Sequence, residues 1–222
     1  MENKFYQIYF DSSQLSKLDY TPYFNDKCTY FFESQVIADL KDEMSGCDYF
    51  AVLSHSLREK CTVSKTWKGN INNTSSLEFT PERFEVFLHK HNPDAMSFQR
   101  HPPHDPITLG DKYHPKFSSY FRDIMGVIGY DWKPTVFENV FYCNYQAVKP
   151  EIYADYVTKM LRPAMNYMLL VPELMANSGY YKKLPSKLSE QWGIDWYPYH
   201  SFLCERMFSF YAHINKLKCL HY

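Results

Sequence analysis

The chain has 222 residues, a formal net charge of −1 and a pI near 6.7. With 45% hydrophobic and 22% charged residues it has a globular composition, which excludes a disordered chain, a collagen, a coiled coil, a zinc-finger array and a solenoid. The balanced charge and the lack of a basic cluster argue against nucleic acid as a partner.

The length suits one domain spanning 1–222. Its apolar runs are too short to cross a membrane, and MENKFYQIYFDSS lacks the basic-then-apolar order of a secretory leader. The six Cys, at 28, 47, 61, 143, 204 and 219, form no Cys-x-x-Cys. They read as reduced, mostly buried thiols in a cytoplasmic protein. Aromatics reach 18%, with 20 Tyr and 17 Phe, enough to fill a core or to line a site for sugars, bases or peptides.

The aromatic run Phe5 to Phe10 predicts a buried strand ending in Asp11-Ser12-Ser13. Leu15 to Asn25 reads as irregular, broken by Asp19 and Pro22. Phe31 to Met44 has apolar residues at helical spacing and stops at Ser45-Gly46. Tyr49 to Leu53 predicts a second strand, followed by Ser54-His55-Ser56. Thr66 to Ser76 reads as a loop from its Gly and Asn content.

Thr80-Pro81 opens a helix that runs to about His91, with Thr as cap and Pro in the first turn. Asp94 to Phe98 predicts a short third strand. Lys116 to Ile128 reads as a helix, Pro134 to Val148 as a strand region, and the segment from Lys149-Pro150-Glu151 onward as a long helix. Residues 171–198 read as a loose connector with one short helix. The last element, Phe202 to Leu217, is apolar on most sides, which predicts a buried helix. Glu205 lies on its narrow polar strip, where an enclosed carboxylate needs a partner. Alternating strands and helices predict an α/β fold with a largely parallel sheet.

Several residue groups could carry chemistry. His101, His104 and His114 share a Pro-rich segment but lack the spacing of a zinc site. Asp111 and His114 are positioned either to share a proton or to cap the helix that follows. Ser54 and Ser56 end a strand, where open α/β sheets bind ligands. Neither serine sits in a Gly-x-Ser-x-Gly elbow, which disfavours a hydrolase. There is no Gly-rich phosphate loop and no Asp-x-Asp to hold a diphosphate-bridging cation. Diphosphate charge would then fall to cationic side chains such as Arg58, Lys60, Lys149 or Arg206.

Four segments carry a family resemblance. Tyr197 to Phe210 (YPYHSFLCERMFSF) is similar to a YP-x-H-x-F-x-x-ERLFS element, and Asn144 to Val157 (NYQAVKPEIYADYV) to an Asn-ended strand followed by an aromatic helix. Tyr49 to Lys60 (YFAVLSHSLREK) and Gly110 to Pro115 (GDKYHP) are weaker echoes of GxLS…K and GExxHP elements. Ala51 stands here in place of the first glycine and Asp111 in place of the glutamate. In these segments the chain resembles glycosyltransferases of capsule, lipopolysaccharide and large-DNA-virus surface-glycan synthesis.

The resemblance implies a GT-A-like single domain with a mixed, mostly parallel sheet flanked by helices. The nucleotide-binding part would span about 1–100 and the acceptor and catalytic part about 100–222. It implies a nucleotide-sugar donor, a glycan acceptor, an optional Mn²⁺ or Mg²⁺, and other glycosyltransferase domains as partners, in the host cytoplasm if the chain is viral. Asp111 and Glu205 are the base candidates, with His114 beside them. Asp11, Ser54, Lys60, Asn144 and Arg206 would bind the donor and His200 the acceptor. An idle nucleotide-sugar- or glycan-binding module of a larger enzyme is the alternative.

Overall fold

The computed structural model describes residues 2–26, 28–58, 80–99 and 101–222. The strands are β1 Lys4–Tyr9, β2 Thr21–Phe24, β3 Phe50–Ser54, β4 Ala95–Ser97, β5 Gln146–Val148 and β6 Cys219–His221. The helices are α1 Glu33–Asp39, α2 Pro81–His91, α3 Phe117–Val127, α4 Pro150–Tyr156, α5 Arg162–Met168, α6 Ser186–Trp192 and α7 Tyr199–Ile214. A π-helical turn, Val157–Leu161, joins α4 to α5.

The sheet order is β2-β1-β3-β5-β4-β6. Only β5 runs against its neighbours, so the other five strands share one direction. The fold is therefore α/β, with a six-stranded, mostly parallel mixed sheet flanked by helices.

The continuous apolar run at β3 follows from burial on both faces. Phe50 and Val52 join the larger core with residues of α1, α3, α4, α5 and α7, while Ala51 and Leu53 face Phe84 and Leu88 of α2 on the other side. Helix α2 starts where Thr80 Oγ1 accepts the Arg83 amide at 3.3 Å, and Pro81 fills its first turn. The Phe84 ring stacks on Phe98 at 3.7 Å.

Helix α7 runs through the larger core with nearly every side chain buried. Its polar strip is used: Ser209 Oγ accepts the Phe141 amide at 2.8 Å and donates to the Phe141 carbonyl at 3.0 Å. No helix among the described residues is long and apolar enough to cross a membrane.

The structure corrects several sequence expectations. The irregular segment Leu15 to Asn25 contains β2, where Pro22 is tolerated because β2 is an edge strand, its outer side unpaired among the described residues. The expected strand Pro134 to Val148 shrinks to β5. Cys143 and Asn144 hold φ of 57° and 56°, which breaks the extended backbone just before it. The helix from Phe31 tightens after Asp39 into a 3₁₀ turn, Leu40–Glu43. In the connector 171–198 the expected short helix is present as α6, and a 3₁₀ turn, Pro172–Met175, is added to it. The last helix begins at Tyr199, earlier than expected, and the chain then adds β6 beside β4. The expected loop Thr66 to Ser76 lies outside the described residues.

Candidate active site

The strand directions bring distant segments to one edge of the sheet. The carboxyl ends of β1, β3, β4 and β6 meet the start of the reversed β5 there. Asp11, Ser54 to Ser56, Gln99 and Tyr142 to Tyr145 therefore cluster near that edge. This is where ligands enter open α/β sheets.

Arg206 is the centre of the arrangement. Its side chain, with the residue 9% exposed, lies 4.6 Å from the Tyr142 ring centroid and 5.6 Å from that of Phe117. Nη1 donates to Glu205 Oε2 at 2.5 Å and, at 3.5 Å, to the Phe202 carbonyl one turn earlier. Nε is buried with no hydrogen-bond partner among the described residues. A guanidinium presents Nε and an outer Nη as a two-donor fork suited to carboxylate or phosphate. The Glu205 carboxylate and the Arg206 guanidinium thus form an ion pair where solvent is limited.

Tyr142 is fixed in turn. His104 Nδ1 donates to the Pro102 carbonyl at 2.7 Å, and the ring's other nitrogen, Nε2, lies 2.6 Å from the Tyr142 hydroxyl. Burial pushes the Tyr142 hydroxyl up to about 12, so it stays a donor. His101 stands edge-on to the same ring at 4.7 Å. Burial, then the charges of His221, His104 and Arg206, push His101 down to about 4.

His114 packs on the other flank. Its ring stacks on Phe202 at 4.1 Å, and Nδ1 donates to the Ser178 carbonyl at 3.0 Å. Burial lowers its proton affinity and the nearby Arg206 charge lowers it further. The GDKYHP segment reaches this place because residue 110 is glycine: a Cβ there would lie 2.4 Å from the buried Phe117 ring.

The structure thus brings His114, Glu205 and Arg206 together, with Tyr142 as an unexpected member. Asn144 is buried near the same edge, and its Nδ2 donates to Ser34 Oγ at 3.2 Å. Ser54 Oγ is 2.9 Å from Ser56 Oγ, which is 3.2 Å from the Tyr145 hydroxyl, so a hydroxyl chain follows the end of β3.

Asp11 ends β1 and caps the following 3₁₀ turn. The Ser13 hydroxyl and amide hold its exposed carboxyl below the usual range. Asp111 Oδ1 accepts the Ser118 amide at 2.9 Å, the capping alternative. His200 is 1% exposed, with its ring 5.4 Å from Tyr30 and 5.3 Å from Phe31, and burial pushes it down to about 4.

Among the other cations, Arg58 pairs with Asp19. Lys149 follows β5 and so lies at the opposite, amino edge, paired with Asp94 at 3.2 Å, which removes it as a diphosphate ligand. Lys60 lies outside the described residues.

Among the described residues no three His, Cys, Asp or Glu side chains are grouped to hold a metal ion. Each nearby carboxylate has one oxygen engaged: Glu205 Oε2 with Arg206, Asp11 Oδ1 with Ser13 and Asp111 Oδ1 with Ser118.

Tyr142 escaped sequence reasoning because a tyrosine in FYCNY has no distinguishing pattern. Its importance comes from meeting Arg206 across the fold. No protein-family model, curated protein or solved structure matches this chain.

Proposed function

We propose that this chain is a glycosyltransferase that moves a sugar from a nucleoside diphosphate to a hydroxyl of a growing glycan. The supporting observation is the Arg206 guanidinium: it is buried, braced by Tyr142 and Glu205, and its Nε has no partner among the described residues. A buried guanidinium with an Nε unpaired among the described residues has a donor left for a diphosphate oxygen. Two segments that resemble the transferase family meet there, with Glu205 and Arg206 from one and His114 from the other.

In the proposed reaction an acceptor oxygen attacks the anomeric carbon, and the bond from that carbon to the diphosphate oxygen breaks. The electron pair leaves on the diphosphate, where Arg206 stabilises the growing charge. Glu205 takes the acceptor proton on Oε1, while Oε2 stays paired with Arg206. Asp111 is assigned to capping α3, since its oxygen is used by the Ser118 amide. Asn144 and Ser54 contribute through the shape of the sheet edge.

Release of free sugar from a nucleotide sugar without acceptor tests the reading. The full chain should release sugar slowly, and Glu205→Gln should remain folded and lose that release by at least about a hundredfold. Wild-type rates in Glu205→Gln would remove the base assignment. No release by the wild-type chain would favour the binding-module alternative.

A further inference from the structure

An aromatic band continues from the Arg206 site. Phe202 meets Tyr180 at 5.1 Å, and Tyr180 meets Tyr197 at 5.2 Å. Tyr197 stacks on Phe32 at 5.8 Å, and Phe32 and Tyr30 stand edge-on to Trp192 at 5.6 and 4.8 Å. Tyr30, Phe32, Trp192, Tyr197 and Tyr180 are all partly exposed. Helix α6, which carries Trp192, also carries Lys187, whose charge reaches Asp11 at the end of β1. The band therefore borders the sheet edge that holds the candidate active site.

Phe32 is held in a conformation its type disfavours. Its φ of 48° and ψ of −123° match the second position of a type II′ turn, and the Ser34 amide closes that turn on the Phe31 carbonyl at 3.0 Å. Glycine suits such a position, and a bulky residue there is strained. The chain keeps a phenylalanine, and its ring meets both Trp192 and Tyr197. Asn144, itself at positive φ, bonds to Ser34 two residues later. Two strained turns are thus locked together beside the band, a pattern associated with ligand clamps.

We propose that Trp192, Phe32 and Tyr30 form a platform for a pyranose ring of the glycan acceptor; naming the acceptor rests on the transferase reading above. One face of a pyranose presents axial C–H groups, which meet the negative face of an aromatic ring, while its hydroxyls stay at the rim. A nucleobase would instead need its polar edge read by fixed donors and acceptors, and the rings named here bring phenol tips alone. His200 does not contact this acceptor; it lies behind Tyr30 and backs the platform.

Saturation-transfer NMR on the full chain tests the platform, with the methyl glycosides of glucose, galactose, mannose and N-acetylglucosamine as probes and uridine as the competing class. At least one glycoside should receive saturation on its ring protons. Trp192→Ala and Tyr30→Ala should each weaken that binding about tenfold. Trp196→Phe should not, since the Trp196 indole is engaged with the Met175 carbonyl. Should Trp192→Ala melt early, Phe32→Gly removes a ring while relieving the turn, and it should stay folded and lose the glycoside signal.

The platform is overturned if no glycoside takes saturation, if folded Phe32→Gly and Tyr30→Ala bind as the wild type does, or if uridine alone responds to these changes. A separate nucleotide-sugar titration distinguishes the two readings. Donor binding without glycoside binding would sink the platform alone. Glycoside binding lost in Tyr30→Ala, with no donor binding by the wild type, would keep the platform and sink the transferase.

Discussion

The Arg206 guanidinium is stacked 4.6 Å from the Tyr142 ring centroid, and the Tyr142 hydroxyl is held 2.6 Å from His104 Nε2. The cation is thereby positioned from below by a ring that cannot swing. Tyr142→Leu should weaken nucleotide-sugar binding by about 0.5–2 kcal/mol, the worth of a partly desolvated cation–π contact. Tyr142→Phe should lose less, because it keeps the ring. Calorimetric titration separates the two, and equal losses would mean that the hydroxyl matters and the ring does not.

Gly110 permits the close approach of its turn to α3. Gly110→Ala would place a methyl 2.4 Å from the Phe117 ring, which is fully buried and cannot move aside freely. The expected cost is about 1–3 kcal/mol of stability, the usual range for overpacking. Phe117 also lies 5.6 Å from Arg206, so donor affinity should fall with it. Chemical denaturation and titration of the same variant check both effects.

Ser209 closes two backbone groups of Phe141 inside the core. Ser209→Ala leaves a buried amide and a buried carbonyl without this partner. A loss of about 1–3 kcal/mol is expected. A variant as stable as the wild type in urea would show that these groups find other partners.

Stability should fall in mild acid. His101 and His200 are both pushed down to about 4 by burial, whereas an unfolded histidine titrates near 6.5. Above pH 6.5 both states hold these rings neutral and nothing changes. Between about 6.5 and 4 the unfolded chain binds more protons, so stability drops as pH falls, by up to about 1.4 kcal/mol per pH unit for each ring. His200→Phe should flatten that slope, measured by urea melts at stepped pH. An unchanged slope in His200→Phe would contradict the assignment for that ring.

The local signals in the sequence were reliable where one chemistry dominated. The apolar runs at β1 and β3 and the Thr80-Pro81 start of α2 all predicted their elements. β2 was hidden because its stability comes from β1 and not from its own pattern: three of its four residues are exposed and one is Pro22. β6 is only three residues long and exists through pairing with β4. The Pro134 to Val148 segment is apolar because it packs under α7, not because it is a strand.

At the site, Glu205 was legible as a carboxylate needing a partner, and its neighbour supplies one. The Tyr142–His104 support and the strained Phe32 turn were not legible, since both depend on contacts between residues far apart in the chain. His200 shows the converse: the motif around it pointed to a ligand, and folding buries it behind Tyr30.

The most direct test of the central claim is calorimetric titration of the full chain with UDP-, GDP- and dTDP-sugars, each with Mg²⁺ and with Mn²⁺, alongside Arg206→Lys. One nucleotide sugar should bind the wild-type chain, and Arg206→Lys should weaken it at least about tenfold, because an ammonium cannot reproduce the two-donor fork. Absence of binding by every nucleotide sugar, or equal binding by folded Arg206→Lys, would contradict that claim.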